Sequence, residues 1–225
     1  MAIPYAELVS ETMGYLQLDP DTTQDVERFA VDQCLNASQR NLLNVLPLEW
    51  LDFTTKSQKF NLVLSQIEYA LPDSFVRLVK FWVSYTAEIT DLFLGREAKY
   101  MREAHFMSLS DIQRQPSVEY PLVSIIGNKF QIKPVPPQAQ TNGYRVLFVV
   151  EPPKIQTGVD CLVPNNLRNA LVFYAVHLSA GIENYSPELS QRMLQLYAAE
   201  IANVREHTLY ARDAAEEEKN EPRKR

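Results

Sequence analysis

Apolar residues recur at helical spacing at the start of the chain. The spacing predicts a short helix within residues 4–18, followed by a break at residues 19–22. A second helix is predicted to run from this break to about Leu46, because Pro47 cannot continue a helix. Its apolar residues lie on more than one side, which is typical of a helix covered by two neighbours.

The middle of the chain changes to short runs of β-forming residues separated by turns. Strands are predicted at residues 60–65, 67–71, 77–85, 89–94, 122–126, 129–133 and 144–151. The strongest local signal is the pair of runs joined by Gly127-Asn128, which predicts a β-hairpin with a two-residue turn. Turns are also predicted at residues 71–74 and at Thr141-Asn142-Gly143, and a charged helix at residues 96–109.

Helical spacing returns after Pro164. One helix is predicted from Asn165 or Asn166 to about Ala180, with Gly181 just beyond its end. The sequence Ser186-Pro187-Glu188 combines a capping residue, a proline at the first helical position and an acid in the first turn, so it predicts the start of another helix. That helix is predicted to extend toward Arg212.

These elements predict an α+β fold. A helical bundle is expected from residues 1–52 and 162–212, the two ends of the chain. Residues 53–161 are expected to form an inserted β-rich subdomain with one helix near residues 96–109. Residues 216–225 contain no apolar side chain, so residues 213–225 are predicted to be a charged, flexible tail or a segment that a partner orders.

Composition narrows the classes of function. The chain has 225 residues and a net charge of −6, so it has no surplus of Lys and Arg for tight binding to a phosphate backbone. No apolar stretch is long enough for a transmembrane helix, and Met1–Ser10 contains Glu7 and no basic residue, unlike a signal peptide. Cys34 and Cys161 are expected to be free buried thiols in a reducing compartment.

Candidate chemistry is sparse. The sequence contains no phosphate-binding loop, dinucleotide-binding motif, nucleophile elbow or zinc-protease motif. Three histidines, His105, His177 and His207, are scattered, and His177 is interpreted as a hydrogen-bonded core residue. Acidic residues near Asp19 lack the spacing of a calcium loop. No catalytic, cofactor-binding or metal-binding residue is therefore predicted, and a nucleophilic pair of Cys161 with His177 stays open as an alternative.

Several short segments follow one another in a recognisable order. Ala37–Leu43 is followed by Pro47, and Tyr69-Ala70-Leu71-Pro72 matches a Tyr-x-Leu-Pro step. The Gly127-Asn128 hairpin then leads to Lys133-Pro134, a strand ends at Glu151-Pro152-Pro153, and Pro164 precedes two helices. In this order, over roughly residues 5–210, the chain resembles the head-to-tail adaptor, or connector, proteins of tailed bacteriophages, particularly the short-tailed type.

The resemblance implies a structural virion protein without catalysis or cofactor. Such proteins form rings, typically of twelve identical subunits, which dock on the portal protein, extend the DNA channel and present a surface to tail or nozzle proteins. DNA would pass through transiently without specific binding, and an acidic lumen would repel its phosphates. The protein is expected in the virion neck below the portal, after synthesis in the host cytoplasm, with no membrane contact.

Two surfaces are the candidates for these contacts. The portal-side candidates are in the last helix and tail: His207, Tyr210, Arg212, Glu216, Arg223, Lys224 and Arg225. The tail-side or neighbour-contact candidates are in the hairpin turn and the loop after it: Gly127, Asn128, Lys129, Pro134, Pro136 and Pro137. An ordinary solvated end and an ordinary hairpin remain alternatives. So do another neck or tail-completion protein and a small intracellular enzyme that uses Cys161 or His177.

Overall fold

A computed structural model describes the backbone of residues 2–18, 25–107, 116–182 and 186–220; within these ranges, the side chains of residues 25–29, 105, 107, 182 and 209–220 are not described. The chain is a mixed α and β protein that divides into two compact units. Residues 1–54 and 152–225 form unit 1, and residues 55–151 form unit 2.

The helices lie mostly in unit 1. In the described residues they are α1 (Tyr5–Tyr15), α2 (Asp25–Val45), α3 (Glu103–Met107), α4 (Arg168–Ile182) and α5 (Pro187–Asn220), of which α3 alone belongs to unit 2. Short 3-10 turns follow α2 at Leu48–Trp50 and Asp52–Thr54, and another precedes α4 at Asn165–Leu167. The predicted ends of α1 and α2 are confirmed to within a few residues.

Helix α4 is the central element of unit 1. It contacts α1, α2 and α5, and buried aliphatic residues such as Leu171, Val172 and Val176 cover more than one of its sides. The hydroxyl of Ser38 on α2 donates a hydrogen bond of 2.6 Å to the Leu171 carbonyl, which satisfies this buried polar group between α2 and α4.

The start of α5 is confirmed and the predicted end of α4 is corrected. Leu189 N–H donates to the Ser186 hydroxyl at 3.2 Å, and Pro187 is the first helical residue. Gly181 was expected beyond α4, but it lies inside the helix, which ends at Ile182. The Gly181 backbone stays helical and does not adopt the left-handed conformation of a terminating glycine.

In its described residues, unit 2 contains two four-stranded sheets. The strands are β1 (Thr55–Leu62), β2 (Glu68–Ala70), β3 (Phe75–Val83), β4 (Arg96–Glu97), β5 (Lys99–Tyr100), β6 (Leu122–Ile126), β7 (Lys129–Lys133) and β8 (Gln140–Val150). Their order is β1-β8-β3-β4 in one sheet and β2-β7-β6-β5 in the other. The predicted hairpin is confirmed residue for residue as β6 and β7, with Gly127 at φ +59° in its turn.

Aromatic rings fill the core of unit 2. Phe130 is fully buried, and its ring centroid lies 5.3 Å from that of Phe81 and 5.5 Å from that of Phe75, both edge-on. Phe81 in turn stacks on Tyr144 at 5.3 Å. Since β3 and β8 belong to one sheet and β7 to the other, this cluster holds the two sheets together.

The segment predicted as a helix at residues 96–109 is mostly extended. Only Glu103–Met107 is helical; Arg96–Glu97 and Lys99–Tyr100 are strands, and residues 108–109 lie outside the described part. Backbone pairing explains the difference, because Ala98 N–H donates to the Phe81 carbonyl at 2.8 Å and Met101 N–H donates to the Val123 carbonyl at 2.9 Å. Tertiary hydrogen bonds override the helical pattern here.

Two further predictions in unit 2 are wrong. Residues 89–94 form a local turn, in which Thr90 N–H bonds the Phe93 carbonyl at 2.8 Å, rather than a strand beside β3. The predicted turn at Thr141-Asn142-Gly143 lies inside β8, where the pairing with β1 shifts between Phe60 and Leu62. Asn142 at φ +47° absorbs this irregularity, so the Asn-Gly pair serves a bulge and does not end the strand.

Helix α5 extends farther than predicted. It continues to Asn220, so residues 213–220 have helical backbone although a flexible tail was expected from residue 213. Ala214 and Ala215, followed by three glutamates and a lysine, have high helix propensity, which explains how the helix continues through this charged segment. Residues 221–225 lie outside the described part.

Candidate interaction surfaces

The hairpin turn between β6 and β7 is exposed and its charge is paired. Gly127, Asn128 and Lys129 are all exposed. Lys129 Nζ contacts Glu68 Oε2 at 2.6 Å, and Gln131 donates to the other oxygen of the same carboxylate at 3.1 Å. The hydrogen bond and charge of Lys129 hold the pKa of Glu68 below its usual range. The turn therefore offers polar contacts and little net charge.

The proline-rich loop after β7 is anchored to unit 2 by its carbonyl groups. The Tyr85 hydroxyl donates to the Pro134 carbonyl at 3.0 Å, and Ser65 N–H donates to the Pro136 carbonyl at 3.0 Å. Pro134 is half-buried and Pro137 is exposed, but Pro136 is buried, so its ring is not available on the surface of the chain. Burial also raises the pKa of Tyr85, which keeps its hydroxyl a hydrogen-bond donor at neutral pH.

A second exposed loop, residues 63–67, lies against the proline-rich loop and was not predicted as a site. Its aliphatic side chains are strongly exposed: Val63 at 47%, Leu64 at 57% and Ile67 at 42%. Its backbone is nevertheless held, since Val63 N–H donates to the Tyr69 hydroxyl at 3.2 Å and that hydroxyl donates to the Gln66 carbonyl at 3.0 Å. Val-Leu-Ser-Gln-Ile reads as strand and loop, and nothing in the residues signals which way they face.

A cavity lies beside the end of β3 and the start of β4. Its volume is about 450 Å³, and it is lined by Val83, Ser84, Tyr85, Thr86, Phe93, Gly95, Arg96, Val118 and Glu119. Phe93 is 47% exposed and Val118 is 44% exposed. Arg96 and Glu119, its charged lining residues, approach each other to 4.0 Å. We refer to it as the 93–118 cavity; the residues that form it are far apart in sequence, so no local pattern indicates it.

The end of α5 carries the portal-side candidates. His207 is exposed, whereas Thr208 is buried and accepts a hydrogen bond of 2.8 Å from Trp50 Nε1. Tyr210, Arg212 and Glu216 lie on the helical backbone of α5, but their side chains are not described. Arg223, Lys224 and Arg225 lie outside the described residues. Thr208 is thus the last side chain known to pack into unit 1.

Cys161 and His177, which were the candidates for catalysis, are buried or hydrogen-bonded within unit 1. Cys161 is free and buried, and burial raises its pKa to about 11, so the thiol is protonated at neutral pH and is a poor nucleophile. Cys34 is also free and buried, with a raised pKa. His177 Nδ1 lies 2.9 Å from the Ser190 hydroxyl, so the expected hydrogen bond is present, but the residue is half-buried and does not lie in the core.

The described part of the chain shows neither a metal site nor a membrane-spanning helix. There, no group of three or more His, Cys, Asp or Glu side chains is placed to hold a metal ion. Asp19, Asp21 and the side chain of Asp25 are not among the described groups. No helix within the described ranges is both long and apolar enough to span a membrane.

Comparison with known proteins supports the family resemblance that the order of segments indicates. The model of one protein family, described as "SU10 adaptor protein", matches residues 3–218. No curated protein matches the chain significantly. The matched range includes all of unit 2 and nearly all of unit 1, so the likeness extends over both units and includes the 63–67 loop, the 93–118 cavity and most of α5.

Proposed function

This chain belongs to the SU10 adaptor protein family, and from that premise we propose that it is a ring-forming head-to-tail adaptor. Membership makes it a phage adaptor protein with a structural role in the virion. We further propose that the ring docks on the portal, extends the DNA channel and provides the attachment site for tail components. The observation that carries the proposal is the family match over residues 3–218.

The exposed loops of unit 2 are suited to contacts within a ring. Contacts in a ring are heterologous, because each subunit presents one face to its neighbour on one side and a different face to the other. Unit 2 carries exposed loops whose backbones are fixed by hydrogen bonds, as at Ser65 and Pro134. Preformed surfaces lose little conformational entropy on binding, which favours assembly.

We propose that the two ends of the chain and its middle region make different contacts. We assign portal binding to the helical bundle formed by residues 1–52 and 162–212, through the end of α5 and the tail. The inserted β-rich region at residues 53–161 would present the hairpin turn and the proline-rich loop to tail proteins or neighbouring subunits. Helical backbone at residues 213–220 is consistent with an arm that projects from the bundle.

Charge supports passage of DNA rather than binding. With a net charge of −6 per copy, a ring of identical subunits has no surplus of cations for counterion release from the phosphate backbone. We propose that the residues lining the channel are acidic or neutral, which would keep the double helix from adhering to the wall. A channel lined with Lys and Arg would contradict this part of the proposal.

Position and copy number in purified virions test the proposal. Quantitative mass spectrometry is expected to find one copy of the chain per portal subunit, and electron microscopy of the virion is expected to place it directly below the portal. A different ratio, or density elsewhere in the neck or tail, would instead identify a tail-completion protein. Absence from the virion would leave an intracellular role and contradict the adaptor assignment.

A further inference from the structure

We propose that the subunits join head to tail through unit 2, with Leu64 of one copy inserted into the 93–118 cavity of the next copy. This inference rests on the proposed function for the existence of a ring and adds the two surfaces that close it. The sequence analysis predicted neither the 63–67 loop nor the 93–118 cavity as a contact, although the 63–67 loop adjoins the predicted proline-rich loop. The occupant of the cavity is thus a second copy of this chain.

The inserting element is exposed and rigid. Leu64 is the most exposed of the three aliphatic residues in the 63–67 loop, and Val135 of the adjoining proline-rich loop adds a further side chain at 48% exposure. Ser65, at φ +61°, turns the backbone, and its N–H is held by the Pro136 carbonyl. Aliphatic side chains on a fixed loop gain free energy on burial without a large ordering cost.

The receiving element is concave and has an apolar rim. Phe93 and Val118 lie at the 93–118 cavity, and its volume of about 450 Å³ is ample for an aliphatic side chain. The backbone at Gly95, with φ +77°, packs closely against Val83. A Cβ atom at this position would lie only 2.5 Å from the Val83 carbonyl oxygen, so only glycine fits in this part of the wall. This close packing fixes the backbone at the Gly95 side of the cavity.

The two elements lie at opposite edges of one sheet. The 63–67 loop follows β1, and the 93–118 cavity adjoins β4, the first and last strands in the order β1-β8-β3-β4. Three strand spacings separate these edges, or roughly 14 Å. In one copy Leu64 stays exposed, so a second copy is needed to cover it. Two copies could exchange these contacts reciprocally, or many copies could make them in a directional series that closes into a ring or continues as a filament. The ring of the proposed function requires the directional series, and only that series gives linked species longer than a dimer.

The charge distribution favours a second copy as the occupant. Copies with a net charge of −6 repel one another, so a contact between identical chains is best made where local charge is absent or cancelled. The 63–67 loop contains no charged residue, and the Glu68 carboxylate that follows it pairs with Lys129. The charged residues of the cavity, Arg96 and Glu119, face each other. A docking surface for a basic partner would instead be expected to present unpaired acidic groups.

Disulfide cross-linking tests the contact in the full-length chain. The double variant L64C/V118C, mixed with purified portal rings under mild oxidation, is expected to give a ladder of linked oligomers, with linked species at least about tenfold above the control because contact raises the local thiol concentration. A mixture of the single variants L64C and V118C is expected to stop at linked dimers. Native Cys34 and Cys161 are buried with raised pKa values and do not compete.

The matched control is L64C/L194C, because Leu194 is an exposed leucine (40%) on α5, outside both elements. The pair V63C/F93C provides a second test at neighbouring positions if the first variant folds poorly. A control ladder equal to that of L64C/V118C, or no linked species from either cysteine pair, would overturn the contact. Electron microscopy of the same samples separates the two proposals: rings on the portal without cross-links leave the adaptor function standing, whereas unmodified chain that forms no ring removes its support.

Discussion

Removal of residues 213–225 is expected to abolish binding to portal rings while leaving the folded chain intact. The deletion begins after Thr208, the last side chain described as packed into unit 1, so no described tertiary contact is lost. The removed segment contains acidic residues followed by basic ones and includes the last turns of α5. Co-sedimentation with portal rings would measure binding, and thermal unfolding would measure the fold.

A control for the length of the arm is a chain in which residues 213–225 are replaced by a Gly-Ser repeat of equal length. It is also expected to lose binding, because the repeat is flexible and carries none of the charged side chains. The free energy of unfolding of both variants should stay within about 0.5 kcal/mol of the unmodified chain, as for surface changes in general. Portal binding at the unmodified level by either variant would show that the arm is not the portal contact.

Replacement of Phe130 by Ala is expected to lower the free energy of unfolding of unit 2 by about 3–5 kcal/mol, the usual range for removing a fully buried phenylalanine. The change would delete the ring that meets Phe75 and Phe81 across the two sheets. The chain has one tryptophan in each unit, Trp50 in unit 1 and Trp82 in unit 2. In a Trp50→Phe background, tryptophan fluorescence during urea unfolding therefore reports on unit 2 alone.

The matched control is Tyr120→Ala in the same background. Tyr120 is also an aromatic residue of unit 2, but it is 75% exposed, so its removal is expected to change the free energy of unfolding by no more than about 0.5 kcal/mol. Equal effects of the two substitutions would mean that the aromatic cluster does not hold the sheets together. An F130A variant as stable as the unmodified chain would also show that the aromatic cluster does not hold the sheets together.

Elements with strong local signals could be predicted from the sequence. The hairpin at Gly127-Asn128 needs only two β-forming runs and a pair of residues that favour its turn, and it is confirmed in register. The start of α5 likewise follows from Ser186 and Pro187, because the cap and the fixed φ of proline act within one turn of helix.

Elements that depend on distant partners could not be predicted. β1 begins at Thr55 with Lys, Ser and Gln, a polar run that is a strand only because it pairs with β8. Residues 96–100 read as helical, but carbonyl groups at Phe81 and Pro121 take their N–H groups into extended pairing. Local propensity is a weak prior when such long-range hydrogen bonds are available.

The candidate surfaces also differ in whether local sequence or tertiary packing determines their exposure. Exposure of Gly127 and Asn128 follows from the hairpin itself. Burial of Pro136 does not, because it depends on packing of the loop, whose Pro136 carbonyl accepts from the Ser65 N–H. The exposed aliphatic residues at 63–67 were read as strand positions, where alternate side chains would be covered. The structure fixes their exposure through the hydroxyl of Tyr69, a contact that sequence spacing does not indicate.

Imaging of the purified chain mixed with portal rings tests most directly whether this protein acts by assembly on the portal. The account predicts a second ring stacked coaxially on the portal by electron microscopy, with the same rotational order and an open central channel. Portal rings that remain bare at saturating concentrations of a folded chain, or chain bound at scattered positions without a ring, would contradict it.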